Sequence, residues 1–158
     1  MDSVRLGAVT VHTLAMIPVV GYYGILGRVI LPALRRSLDG PTMATALVAV
    51  ERRALPLIGL AVALFVVTGA YLLLSDEQYA GLGRFAASTW TTLMLVKHLV
   101  VVVMIVVAIG VDRLIGWVAD PVDEEARERA LGLLGLGVDT VTGLGALVVL
   151  LTVAAQLS

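Results

Sequence analysis

The chain reads as an all-α integral membrane protein, a four-helix bundle with both termini on the outer side. Three observations carry that reading. Of 158 residues, 59% are hydrophobic and 15% charged, against roughly 45–50% and about 25% in average globular domains, and mean hydropathy is +1.02. A single water-soluble core of this size cannot hide so much apolar side chain. Four continuous apolar stretches, residues 6–31, 54–74, 89–118 and 130–157, each reach the roughly 20 residues a helix needs to cross about 30 Å of hydrocarbon. Finally, Arg28, Arg35, Arg36, Arg52, Arg53, Arg113, Arg127 and Arg129 fall on one side of those spans, whereas the other side holds Arg5 and Arg84. Cytoplasmic segments carry the Arg/Lys excess, so an even number of spans leaves both termini outside.

The same numbers exclude other classes. Without cysteine there is no disulfide scaffold and no thiol nucleophile. A formal charge of −1 lacks the basic surface that nucleic acid requires. Transmembrane strands would alternate over about ten residues, and these segments do not. No G-x-S-x-G, glycine-rich phosphate loop or H-E-x-x-H occurs. The sequence therefore offers no catalytic constellation of the soluble enzymes.

Taken in order, the first segment lacks a basic n-region and is too long for an h-region, so it is expected to be a span, not a cleaved leader. Pro18 and, in the second span, Pro56 are expected to bend their helices. Gly21, Gly24 and Gly27 permit close helix approach, and Tyr23 shares the His12 face. Asp39-Gly40-Pro41 is a turn that launches a helix, with proline near its first position. Residues 42–53 extend the second span on the cytoplasmic side, where Arg28, Glu51, Arg52 and Arg53 gather at the membrane boundary. The outer loop, residues 75–87 with Tyr79, Gly81 and Gly83, is the least regular part. Trp90 and Trp117 bracket the third span as interface anchors. Asp120-Pro121 with Asp123, Glu124 and Glu125 opens the fourth, acids standing where the helix dipole favours them.

Polar groups at depth are costly and therefore informative. The only two histidines, His12 and His98, lie inside the first and third spans, roughly 9 and 14 Å from the outer side at 1.5 Å per residue. Met16 is i+4 from His12 and Met94 is i−4 from His98, so each imidazole shares a helix stripe with a thioether. His12, His98, Met16 and Met94 form a donor set suited to soft copper(I). The two imidazoles alone suit the axial positions of a b-type haem. The plainer alternative has each histidine bonded to a neighbouring backbone or hydroxyl group, with the methionines as packing. Lys97 points about 100° away from His98 around the helix. Asp139, near mid-membrane on a stripe with Gly132, Gly135, Gly143 and Ala146, is expected to face the bundle interior. Its depth suggests an ion pair with Lys97.

Glu51-Arg52-Arg53, the span ending Thr68-Gly69-Ala70-Tyr71, then Leu93-Met94-Leu95-Val96-Lys97 and a valine-rich run to Asp112-Arg113, resemble the copper-resistance D (CopD) membrane domain. Asp139-Thr-Val-Thr-Gly143 occupies the place of that family's acidic residue in its last helix. The first helix, with His12, Arg28 and Pro32, is also similar to the HemJ-type protoporphyrinogen oxidases. The resemblance spans nearly the whole chain through short motifs. Val20-Gly21-Tyr22 stands where a tryptophan-glycine pair is expected, and the asparagine-glutamate-proline tail of the HemJ oxidases is missing. The CopD resemblance implies copper uptake or tolerance in a prokaryotic plasma membrane, beside an extracytoplasmic metal-binding partner. The HemJ resemblance implies haem binding and activity, with His12 and Lys97 at the positions concerned. A third expectation is a structural subunit of a larger membrane complex or a homodimer.

Overall fold

A computed structural model describes residues 3–76 and 88–156. Most of the outer loop, including Tyr79, Gly81, Gly83 and Arg84, lies outside the described residues. Among those described, the chain forms helix α1 (Ser3–Ile25), a π-helical turn (Leu26–Ile30), α2 (Leu31–Ser37), α3 (Gly40–Leu74), α4 (Thr89–Ala119) and α5 (Glu124–Gln156), with no strand. The first three run on as one rod, so the bundle has four helices long and apolar enough to cross a membrane.

Each boundary has a local cause. The π turn precedes Pro32, which cannot donate to the carbonyl four residues back and crowds it. The turn widens instead, and Leu31 N–H bonds the Leu26 carbonyl. Asp39 caps α3, its carboxylate accepting from Thr42 N–H at 3.0 Å. Hydrogen bonds from the Thr42 side chain and backbone hold that carboxyl below its ordinary range. Ser88 caps α4 in a reciprocal box with Thr91. Asp123 accepts from Ala126 N–H at 2.7 Å at the head of α5, and Arg127 reaches back to Glu124 one turn away. Pro18 and Pro56 both sit inside continuous helices. Ser88→Ala should cost about 1 kcal/mol, the usual worth of a serine cap, read as a lowered midpoint in detergent unfolding. An unchanged midpoint would mean that the box does not hold the start of α4.

Close approaches fix the register between helices. A Cβ on Gly145 would stand 2.6 Å from Val20 Cγ2, one on Gly27 2.7 Å from Val138 Cγ1, and one on Gly137 2.8 Å from Val111 Cγ2. These glycines seat α1 and α4 against α5. The main core fills the end of the bundle away from the termini, where Leu26, Leu47, Ile115, Leu131, Leu134 and Val138 are almost wholly buried. A second, smaller cluster of Ala15, Phe65, Val101 and Val148 lies toward the termini. At 1.5 Å per residue the four rods, 31 to 35 residues each, are roughly 46–53 Å long, beyond the ~30 Å hydrocarbon core. The surplus lies at the end with the larger core, so the bundle is tight there and loose near the termini.

One expectation is corrected by this register. Asp139 does not pair with Lys97; its carboxylate lies 3.3 Å from Arg28 Nε, with side chains 57% and 74% exposed. Since Val111 stands against Gly137, Asp139 lies about level with Ile109, roughly twelve residues or 18 Å from Lys97. Asp139 does not face the interior either. Gly132, Gly135 and Gly143 of its stripe have open space where a Cβ would go, because α5 turns its other glycines, Gly137 and Gly145, to its neighbours. Arg28, Glu51 to Arg53, Asp112 and Arg113 share the level of Asp139, a charged layer across all four rods.

A histidine-lined cavity at the loose end of the bundle

The loose end encloses a cavity of about 580 Å³ between α1, α3, α4 and the last turns of α5. That volume falls within the range of small-molecule and cofactor sites. Its lining is largely apolar, Met94 included, with His12, Lys97 and His98 among the exceptions. The two histidines thus meet one space, although they come from different helices.

His12 is held from three sides. Its ring stacks on Phe65, centroids 4.1 Å apart and planes at 18°. Its Nδ1–H donates to the Phe65 carbonyl at 3.0 Å and lies equally close to the Thr68 hydroxyl. That hydroxyl spends its own proton on the Leu64 carbonyl, 2.6 Å away. A carbonyl can only accept, so Nδ1 carries the hydrogen and Nε2 keeps its lone pair in the neutral ring. Gly69 makes room for this arrangement, since a Cβ there would come within 2.9 Å of His12 Cε1.

His98 repeats the arrangement within its own helix, Nδ1–H donating to the Met94 carbonyl at 2.6 Å. Both rings therefore have one nitrogen engaged by backbone, and no hydrogen-bond partner for Nε2 is found among the described residues. That is the usual state of a ligating histidine, whose second nitrogen is fixed by an outer partner. The same bonds also satisfy the plainer reading of a histidine bonded to backbone.

Lys97 lines the cavity and forms no ion pair among the described residues. His12 lies within electrostatic range of both Lys97 and His98. At the mouth, Arg5 Nη2 bonds Asp76 Oδ2 at 2.7 Å, tying the start of α1 to the end of α3. Trp90 contributes to the lining. Met16 does not: it packs against the smaller core cluster. The four-donor set is thereby reduced to His12, His98 and Met94. No group of three or more His, Cys, Asp or Glu capable of holding a metal occurs among the described residues.

Arg28, Glu51, Arg52 and Arg53 take no part in this cavity and belong to the charged layer. Phe65, Thr68, Gly69, Arg5 and Asp76 were not singled out by spacing. A buried imidazole needs a fixed partner, and the threonine-glycine pair in the facing span was the available signal for one.

Fold and site together define a class, a multi-pass helical bundle of the membrane with a histidine-lined internal cavity. Compared with protein-family models, with curated proteins and with solved structures, the chain matches none.

Proposed function

We propose that this protein is a membrane redox protein that holds haem b in the cavity, where His12 and His98 would be the residues that hold its iron. The observation that carries the reading is the shared state of the two rings, both lining one cavity with Nδ1 engaged and with no hydrogen-bond partner for Nε2 among the described residues. The donor set and its surroundings fit this group: the walls suit an apolar macrocycle, and Lys97 supplies a counter-charge for a carboxylate. Haem supplies reversible one-electron transfer when bound. The protein's own part is orientation and exclusion of water, with Phe65 and the Phe65 and Met94 carbonyls fixing the rings. By the Arg/Lys asymmetry of the loops the cavity opens on the outer face of a prokaryotic plasma membrane. The similarity of the first helix to the HemJ oxidases supports the same reading.

A second reading is copper handling, favoured by Met94, which places a thioether beside His98 in the cavity, and by the CopD resemblance. Two features weigh against it. Met16 is absent from the lining, and the Lys97 ammonium repels a bound cation. An absorption spectrum with metal analysis decides between them, taken on detergent-purified protein and its His12→Ala and His98→Ala variants. A Soret band lost in both variants is expected. Stoichiometric copper without a Soret band, falling in both variants, would replace the haem reading by the copper one. Neither signal in folded protein would leave a structural subunit, with the open Gly132–Gly143 face of α5 as its contact surface.

A further inference from the structure

The end of the bundle away from the termini holds a second pocket, separate from the histidine-lined cavity. It measures about 280 Å³ and lies between the first rod and α5. Gly27, Leu31 and Pro32 form one wall, Leu131 and Gly135 the other, and Arg35 and Arg36 complete the lining. A Cβ on Gly135 would meet nothing within 4 Å, so that wall is recessed.

The sequence builds the recess locally. Leu26 and Leu31 are both buried although five residues apart, a spacing that the i→i+5 π turn keeps on one face. Arg35 and Arg36 stand four residues beyond Leu31 and Pro32, on the same two stripes of α2. Helical side chains lean toward the N-terminus of their helix, and α2 has its N-terminus toward the middle of the bundle. Both guanidinium groups are therefore carried back toward the membrane, over an apolar floor. On α5, Gly135 comes three residues before Val138, which is the residue seated on Gly27.

Charge and depth together point to a ligand. Neither Arg35 nor Arg36 has an ion pair among the described residues, and no acid lines the pocket. Asp139, 3.8 Å from the Cβ position of Gly27, is engaged by Arg28. Glu124 and Glu125, at the start of α5, are engaged by Arg127 and Arg129. Two cations thus line one recess without a counter-charge. They stand four and five residues past Leu31, where the apolar stretch ends, or roughly 6–8 Å further along the axis. That is headgroup depth, since the two polar layers together add about 10–15 Å to a ~30 Å hydrocarbon core.

We propose that this pocket binds one anionic phospholipid. Its phosphate sits between the guanidinium groups of Arg35 and Arg36. Its glycerol and first acyl carbons lie on Leu31 and Pro32 and in the recess at Gly135. A lining that is cationic at headgroup depth and apolar toward the membrane centre matches an amphiphile. A second copy of α5 would instead leave the two arginines unpaired. Basic pockets between membrane helices are a recurrent form of headgroup recognition. The inference does not depend on what the cavity holds.

Native mass spectrometry of the detergent-purified full chain, titrated with phosphatidylglycerol or phosphatidylcholine, tests it. One phosphatidylglycerol per chain should be retained at concentrations where phosphatidylcholine is lost. Arg35→Gln combined with Arg36→Gln should weaken retention by about tenfold or more, given what each cation contributes at an anionic membrane surface. Gly135→Leu should do the same without changing charge, because its side chain would fill the recess. Arg52→Gln combined with Arg53→Gln removes as much charge from α3, outside the pocket, and should leave retention unchanged. Equal weakening by the two arginine pairs would reduce the effect to diffuse attraction and overturn the site. So would retention that survives Gly135→Leu, displacement of the lipid by equimolar inorganic phosphate, or a dimer in place of the lipid complex. The arginine variants alter only exposed side chains, so they decide the matter should Gly135→Leu fail to fold by circular dichroism.

Discussion

Gly69→Ala is expected to unseat His12 and reduce the occupancy of the cavity. The new Cβ would lie 2.9 Å from His12 Cε1 and 3.4 Å from Nδ1, closer than carbon atoms tolerate. The ring cannot retreat in its own plane without losing the Phe65 carbonyl, nor tilt without leaving the Phe65 face. Overpacking of this kind costs about 1–3 kcal/mol. Disturbing the partner that orients a ligating histidine typically costs roughly 10–100-fold in affinity for the bound metal centre. Ligand titration and unfolding of the variant measure both effects. Gly59→Ala on the same helix, where a Cβ meets nothing within 4 Å, is the control and should change neither. Wild-type occupancy in Gly69→Ala would show that the seat of His12 does not govern binding.

The largest effects on stability should divide the glycines of the bundle into two sets. Alanine at Gly27, Gly137 or Gly145 drives a Cβ to 2.7, 2.8 or 2.6 Å from a valine methyl. Valine in a helix has essentially one rotamer, so the methyl cannot swing aside and the helices must part. Each replacement should cost about 1–3 kcal/mol. Alanine at Gly132, Gly135 or Gly143 meets open space and gains up to about 1 kcal/mol in helix propensity. Unfolding midpoints of the six variants should therefore fall on opposite sides of the wild type. A uniform response would show that α5 does not meet its neighbours through Gly27, Gly137 and Gly145. Self-association of the second set reports separately on whether the open face of α5 meets another chain.

The contrast also shows why Asp139 was misplaced from sequence. Gly132, Gly135, Gly143 and Ala146 form a convincing small-residue stripe, and small stripes commonly mark close helix contact. Helix α5 has a second set of glycines nearly half a turn away, and it is that set which meets Val20 and Val111. Nothing local distinguishes the two stripes. The choice depends on which neighbour offers a bulky methyl at the right height. Once Gly137 is seated on Val111, Asp139 falls within reach of Arg28 and far from Lys97.

The histidines show the opposite case. Their common level followed from counting along helices that start on the same side, because the rise per residue is constant and apolar length locates each span. The convergence of His12 and His98 on one cavity needed the bundle to be splayed at that end. Met16 fell outside because a helix stripe is wide enough to face either a cavity or a packed cluster. Membrane-spanning helices, their number and the absence of strands among the described residues were determined by the sequence alone, since hydrophobicity and length act residue by residue along a single segment. The partner of Asp139 and the seat of His12 on Phe65 and Gly69 were decided only in the tertiary structure. Each is set by the register between helices, which arises from the fit of a few side chains across an interface and has no periodicity in either strand of sequence.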